Sequence, residues 1–189
     1  DAMQNSVPKG QGGMIAVLGS TVEAIEKLLK DNQNDIKVQI ANDKSEGQIV
    51  LSGKIEELDK LIIILKEKSI KNIKLPVSAP FHCSLMSKAT NIMSEELNKL
   101  SFLQSENKLI SNVTANEIRD TDELKDLLIK QIENRVRWRE SVINMINNDV
   151  NHFIEIGPGK VLSGLVKRIN REVKISTINN QGDIESLEI

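Results

Sequence analysis

The order of hydrophobic periodicities between residues 12 and 76 constrains the fold more than any other feature of the chain. An apolar run at 13–18 leads into an amphipathic helical pattern, and two strand patterns follow at 36–41 and 48–52, joined by a predicted polar turn at 42–47. A second helical stripe and a last strand at 70–77 complete the segment. This order of strand, helix, strand, strand, helix, strand is typical of the ferredoxin-like arrangement. Because many unrelated proteins use that topology, it predicts a fold and no particular function.

The rest of the chain has a different organisation, in which strand and helix patterns alternate. The predicted elements are a helix from about Ser84, a strand at 108–113, helices at 124–132 and after Trp138, a buried strand at 151–156, a helix after Gly159 and a strand at 173–178. Such alternation favours a parallel α/β sheet. Residues 1–11 are expected to pack with this half, so that 1–11 and 76–189 form a body and 12–75 an inserted subdomain.

Composition excludes several classes of function. The formal charge of −2 arises from 25 basic and 27 acidic residues mixed along the chain, and aromatic residues make up only 2%. We therefore expect neither a positive electrostatic field that attracts nucleic acid nor an aromatic surface on which its bases could stack. The single cysteine excludes an internal disulfide, and the longest apolar run, at 61–65, is too short to span a bilayer. No export signal is visible, so we expect a cytoplasmic protein and no membrane partner.

The stretch from Leu75 to Met86 is the first candidate for a functional site. It places His82 after a proline-set turn and just before a predicted helix. A position near a helix N-terminus favours the neutral ring that a general base requires. A histidine that only packs or caps at this junction explains the local sequence equally well.

Gln131 is the second candidate, because it follows the apolar positions Leu124, Leu127 and Leu128 at helical spacing. A polar group on a buried helix face needs a hydrogen-bond partner, and the imidazole N–H of His82 would be suitable. Alternatively, the Gln131 side chain lies at the edge of the stripe and reaches water.

Other chemically suggestive residues give weaker signals. Cys83 and His82 are adjacent in sequence, so their side chains point in different directions and are not expected to act as a nucleophile and its base. We therefore expect Cys83 to be a small buried side chain. Gly157 and Gly159 predict a tight strand-to-helix turn, although the amides there could face a ligand. The spacing of His82, Cys83 and His152 gives no metal site. No G-x-S-x-G motif is present, so the sequence offers a base without a nucleophile.

Three motifs together resemble the bacterial malonyl-CoA:acyl carrier protein transacylases. They are the stretch Leu75-Pro-Val-Ser-Ala-Pro-Phe-His-Cys-Ser-Leu-Met86, the stretch from Glu155 to Arg168 with its Gly-Pro-Gly turn, and the opening residues 2–8. The similarity is collinear over essentially the whole chain. It implies the C-terminal portion of a partial α/β-hydrolase-like body that carries a ferredoxin-like (βαββαβ) subdomain.

The resemblance also implies residue roles. His82 matches the base that takes the proton of a serine nucleophile, and Gln131 the residue whose carbonyl holds the other ring nitrogen. Phe81 and Asn42 match substrate-binding positions, with Phe81 typical of malonyl selectivity, while Lys44 stands where the family has a second asparagine. Malonyl is passed through a malonyl-serine to the phosphopantetheine thiol of acyl carrier protein for fatty-acid synthesis, with no resident cofactor or metal.

In that family the serine elbow precedes the part that this chain matches, so we expect the chain to be inactive alone and the full-length protein to be a monomer. The alternative is a noncatalytic remnant that binds a carrier protein or CoA. Its acidic partner would contact a group of basic side chains: Lys160, Lys167, Arg168, Arg171 and Lys174.

Overall fold

In the computed structural model, which describes residues 1–187, the first part of the chain forms a four-stranded sheet with two helices. Its elements in chain order are β1 (Gly12–Leu18), α1 (Val22–Asp31), β2 (Gln39–Ser45), β3 (Gln48–Lys54), α2 (Ile55–Glu67) and β4 (Lys71–Lys74). The strand order is β2-β3-β1-β4, and each neighbouring pair is antiparallel. Strands β2 and β4 are therefore the two edges of this sheet.

Strand β2 begins and ends later than its predicted range of 36–41. The polar stretch after Ala41 was predicted as a turn, yet it continues the strand and leaves only Glu46 and Gly47 to connect to β3. Two register shifts interrupt its pairing with β3. Asp43 pairs with Ile49 and Ser45 pairs with Gln48, and both polar side chains are buried, so pairing with β3 holds this polar sequence in a strand.

One face of the sheet is covered by α1 and α2 and holds the larger core. The side chains of β1 and β3 that face the helices alternate with those that face away, as strand geometry requires. The core members include Ile15, Val17, Ile25, Leu28, Ile49, Leu51, Leu58, Leu61 and Leu65. Thr21 caps α1 by accepting a hydrogen bond from the Ala24 amide.

The opposite face of the sheet is covered by the segment that follows β4. Met14, Ala41 and Val50 form a small buried cluster on this face, and Leu75 and Phe81 pack against it. The motif around His82 therefore packs on this face of the sheet.

The remaining elements form the rest of the α/β structure. They are a 3₁₀ turn (Ser84–Met86), α3 (Ser87–Asn98), α4 (Thr121–Lys130), α5 (Trp138–Asn147), β5 (His152–Ile156), α6 (Val161–Ile169), β6 (Lys174–Ile178) and α7 (Gln181–Glu185). Strands β5 and β6 pair in parallel. The predicted mixed α/β class is confirmed.

The predicted strand at 108–113 is absent. Only Ile110 forms a bridge, to Glu117, and the chain then turns with the Ala115 amide donating to the Ser111 carbonyl. The Ser111 hydroxyl accepts a hydrogen bond from the Val113 amide at 3.1 Å. Side-chain bonds of this kind compete with strand pairing, which explains the wrong prediction.

The prediction that residues 151–156 form a strand is correct, but the prediction that the strand is buried is wrong. Ile154 is 38% exposed and Ile156 is 79% exposed. Nearby on α6, Val161 and Leu162 are also exposed, whereas Leu165 and Val166 are buried. The apolar composition of β5 thus reflects a face that the described residues leave uncovered.

Residues near the start of the chain pack against the 3₁₀ turn, α3 and the residues that follow α4. Ala2, Met3 and Val7 contact the cluster formed by Met86, Ala89 and Ile132. The Gln4 amide donates to the Ser78 hydroxyl at 2.6 Å. None of the helices within residues 1–187 has the length and apolar character needed to cross a bilayer.

Candidate active site

His82 lies in a strained turn, between the residues that pack on the four-stranded sheet and the 3₁₀ turn. Its φ angle of +57° is in the left-handed region, which a side chain with a Cβ occupies at a cost of about 1–2 kcal/mol. Cys83 returns to extended backbone, and the helical segment begins at Ser84. Uncommon backbone conformations of this kind concentrate at functional sites, because surrounding contacts must hold them in place.

The ring of His82 is held by the backbone of Gln131. The Nδ1 atom lies 2.9 Å from the Gln131 carbonyl oxygen. A carbonyl only accepts, so Nδ1 carries the proton of this bond. In the neutral ring Nε2 then has a free lone pair and can accept a proton. The carbonyl is available because Gln131 is the C-cap residue of α4, and the last carbonyls of a helix have no partner within it.

The contact between His82 and Gln131 differs from the one that periodicity suggested. The Gln131 side chain donates instead to the Asn134 carbonyl at 3.1 Å, and Leu128 on the proposed stripe is 40% exposed. The helix argument for His82 also changes, since α3 begins only at Ser87. The ring is thus oriented by a main-chain carbonyl.

The turn that carries His82 is fixed from the sheet side by three strands. The Ser84 amide donates to Oε1 of Gln39 in β2 at 2.7 Å, and the Ser52 hydroxyl of β3 contacts the Cys83 sulfur at 3.5 Å. In β1, a Cβ at Gly12 would lie only 2.4 Å from Cγ of Pro80. Glycine is required there because the proline ring rests directly on the strand.

Cys83 has the surroundings of a packing residue. It is 1% exposed, and its thiol donates to the Pro80 carbonyl at 3.1 Å. Burial raises the pKa of the Cys83 thiol, which works against thiolate formation. These properties support the sequence-based interpretation that Cys83 is not a nucleophile.

The segment that follows Gln131 is bound to the free edge of β2. The Asp43 amide donates to the Val136 carbonyl at 2.9 Å, and the Val136 amide donates to the Ala41 carbonyl at 2.8 Å. Arg139, in the first turn of α5, donates through Nε to the Asp43 carboxylate, at 3.0 Å from Oδ2. Burial raises the pKa of Asp43 despite the attraction of Arg139, which opposes that shift.

The two predicted substrate-binding residues both lie where the four-stranded sheet contacts the later part of the chain. Phe81 packs against both the sheet cluster with Met14 and the cluster formed by Met86, Ala89 and Ile132. Asn42 forms a bridge with Val136, and its side-chain oxygen is buried with no hydrogen-bond partner in the described part of the chain. An unpaired buried acceptor is costly, so this oxygen is a candidate to receive a ligand donor.

The Gly157–Gly159 turn does not offer free amides to a ligand at the start of α6. The carboxylate of Glu155 accepts from the Leu162 amide at 3.0 Å and from the Ser163 amide at 2.7 Å. A side-chain carboxylate therefore already occupies the anion position of this helix N-terminus.

Two other features have no direct part in this geometry. His152 pairs through Nε2 with the Ser176 hydroxyl at 2.9 Å and thereby links β5 to β6. Among residues 1–187, no group of three or more His, Cys, Asp or Glu side chains is placed to hold a metal ion.

Sequence reasoning missed Gln39 and Asp43, which connect β2 to both halves of the His82 contact. Gln39 was assigned to a strand without a role, and Asp43 was assigned to a turn. No hydrophobic period in the sequence could have found Asp43, because residues 42–46 are all polar and its partner Arg139 is 96 positions away.

Comparison with known proteins gives consistent similarities. The malonyl CoA-acyl carrier protein transacylase of Bacillus subtilis is 39% identical over 185 residues, which cover 97% of this chain and 58% of that protein. The crystal structure of malonyl CoA-acyl carrier protein transacylase from Clostridium perfringens matches with a TM-score of 0.93 at 39% identity, over 98% of this chain and 58% of that one.

A third structure is described as a type II PKS acyl-carrier protein in complex with its malonyl-transacylase. It matches with a TM-score of 0.91 at 30% identity, over 98% of this chain and 60% of that one. No family model matches the sequence. The chain spans 58% to 60% of the length of these relatives. The resemblance predicted from the motifs is confirmed: over nearly all of its own length, the chain is a relative of the malonyl CoA-acyl carrier protein transacylases.

Proposed function

We propose that this chain supplies the base half of an acyl-transfer site. The reaction moves a malonyl group from coenzyme A to the phosphopantetheine thiol of acyl carrier protein, for fatty-acid synthesis. The observation that carries the proposal is the bond from Nδ1 of His82 to the Gln131 carbonyl, which leaves Nε2 as a proton acceptor. The similarity to malonyl transacylases supports the choice of substrates.

In the proposed mechanism His82 acts in both half-reactions. Nε2 takes the proton of a serine hydroxyl while the serine oxygen bonds to the malonyl carbonyl carbon, and the leaving thiolate of coenzyme A receives that proton. In the second half, the phosphopantetheine thiol gives its proton to Nε2 and attacks the ester. The serine oxygen leaves and regains the proton. The nucleophilic serine belongs to polypeptide outside this sequence, which contains no G-x-S-x-G motif.

Gln131 has the positioning role in this mechanism. Its carbonyl holds Nδ1–H and is suited to stabilise the imidazolium that forms when Nε2 is protonated. Phe81 and Asn42 are proposed to line the substrate cleft, Phe81 by narrowing it and Asn42 through its unpaired oxygen. No resident cofactor takes part, since malonyl-CoA and the carrier-bound phosphopantetheine are both substrates.

The finer fold assignment belongs to the same proposal. The strand order β2-β3-β1-β4 with both helices on one face supports a ferredoxin-like subdomain at 12–75. The parallel β5 and β6 with α6 support an α/β-hydrolase-like body at 1–11 and 76–189. We place the protein in the cytoplasm and expect the full-length form to be a monomer.

The activity test compares the 189-residue chain with the natural full-length protein. Transfer of radiolabelled malonyl from malonyl-CoA to holo acyl carrier protein is expected for the full-length protein and absent for the chain alone. Turnover by the chain would contradict the assignment of the nucleophile to other polypeptide. A full-length protein that binds carrier protein without any transfer would instead support the noncatalytic alternative.

A substitution at Gln131 tests whether its main chain or its side chain orients His82. Gln131→Ala keeps the carbonyl and removes only the bond to the Asn134 carbonyl, so kcat of the full-length protein is expected to fall by less than about threefold. Gln131→Ala is compared with Asn134→Ala, which removes the Asn134 side chain that donates to the Lys130 carbonyl and serves as the local control. A loss of about 100-fold or more in Gln131→Ala alone would show that the side chain is needed.

A further inference from the structure

Strand β2 is hydrogen-bonded to the chain shortly after each partner of the His82 bond. Gln39 accepts from the Ser84 amide, two residues after His82, and Ala41 and Asp43 bind Val136, five residues after Gln131. We infer that Gln39 and Asp43 are positioning residues that set the distance between the His82 ring and the Gln131 carbonyl. The inference rests on the proposed role of His82 as the base.

The first contact fixes the histidine side. The Ser84 amide is two residues from His82 and opens the 3₁₀ turn, where the first amides have no helical acceptor. Oε1 of Gln39 supplies the acceptor at 2.7 Å. This bond determines where the helical segment begins, and with it the position of the strained His82 backbone.

The second contact fixes the carbonyl side. Val136 exchanges two backbone hydrogen bonds with β2, so it extends the sheet edge by one residue. Three residues later, Arg139 binds the carboxylate of Asp43, which is 1% exposed. Because the contacts of Val136 and Arg139 both use Asp43, this residue ties the segment that leads from Gln131 to α5, and the first turn of α5, to one strand.

The consequence is that a single rigid element controls both ends of a 2.9 Å contact. Small displacements of a positioned base lower the rate of a proton transfer strongly, whereas they leave substrate affinity largely unchanged. A purely structural role for Gln39 and Asp43 would change stability and would not selectively change the histidine ring.

The test uses ring-labelled histidine in the 189-residue chain, whose sequence contains two histidines. His152→Gln removes the second signal, so that the ¹⁵N spectrum reports the tautomer of His82 and the protection of its Nδ1–H. In Gln39→Leu the fraction of Nδ1–H tautomer and the protection of this proton are expected to fall. Gln39→Glu keeps an acceptor oxygen and is expected to restore both.

Gln48→Leu is the matched control, since Gln48 on the neighbouring strand accepts a 2.7 Å bond from Arg168 at a distance from His82 in the fold. Gln39 is exposed, so its leucine variant is expected to remain folded. Asp43→Asn provides the second variant and is expected to lower Nδ1–H protection as well. His82 spectra that match the Gln48→Leu control in both variants would overturn the inference.

The full-length protein gives a second readout. Gln39→Leu is expected to lower kcat roughly tenfold with KM unchanged, whereas Gln48→Leu leaves both constants as they are. A change in KM alone would also overturn the inference. Failure of the proposed function appears separately, as full activity in His82→Ala, and leaves the spectral result intact.

Discussion

Replacing His82 with alanine is expected to lower the acylation rate of the full-length protein by about 10²–10⁴-fold, the usual contribution of a positioned general base. The substitution removes the ring that the Gln131 carbonyl orients, and with it the proton acceptor at Nε2. The measurement is the pre-steady-state formation of the malonyl-enzyme from radiolabelled malonyl-CoA. Binding of malonyl-CoA is expected to change much less, because the ring acts mainly in the transition state.

His152→Ala serves as the control for loss of a histidine. Its ring bonds to the Ser176 hydroxyl within the parallel strand pair, so its removal is expected to leave acylation within about twofold of the starting protein. Equal rates for His82→Ala and the unmodified protein would remove the proposed base. A large loss in His152→Ala would show that the assay reports folding instead of chemistry.

Replacing Arg139 with alanine is expected to lower the free energy of unfolding by about 3–5 kcal/mol, which is the usual cost of removing one partner of a buried ion pair. Asp43 is 1% exposed and depends on the Arg139 guanidinium for compensation of its charge. Asp43→Asn leaves no uncompensated buried charge, so its effect is expected to be distinctly smaller. Urea denaturation followed by circular dichroism measures both variants.

The exposed pair between Lys130 and Asp126 is the control for a surface ion pair. Both side chains are more than half exposed, so Asp126→Asn is expected to cost at most about 0.5 kcal/mol. Equal losses in the free energy of unfolding for Arg139→Ala and Asp126→Asn would show that the buried pair does not stabilise the contact between β2 and α5.

The pH dependence of the free energy of unfolding provides a second test of the pair between Asp43 and Arg139. Burial raises the pKa of Asp43 in the folded protein, so the folded state binds a proton at pH values where the unfolded state has released it. The Asp43 contribution to the free energy of unfolding is therefore expected to fall as pH rises from the ordinary Asp value through the raised one. Arg139→Ala should move this window upward, because the attraction that opposes the shift is lost, and Asp43→Asn should abolish it.

The relation between sequence and site differs from residue to residue. The motif around His82 was found from residue types alone, because a proline-set turn and the following helical stripe are local patterns. Gln131 was also found, by two arguments that differ in the group they use: periodicity suggested a buried side-chain amide, whereas the resemblance implied a carbonyl, and the observed contact uses the main-chain carbonyl. Main-chain contacts leave no trace in side-chain type, which is why periodicity pointed to the side chain.

Local sequence by itself determined the order of the helices and strands, since apolar period and capping residues are properties of neighbours along the chain. It failed at Asp43, whose partner is distant in sequence, because the burial of this residue depends on Arg139 to compensate its charge. It also failed at residues 108–113, where the local bond of the Ser111 hydroxyl competed with strand pairing. Only the tertiary structure brought β2 beside both His82 and Gln131. That placement depends on hydrogen bonds between residues more than 40 positions apart, which no local pattern encodes.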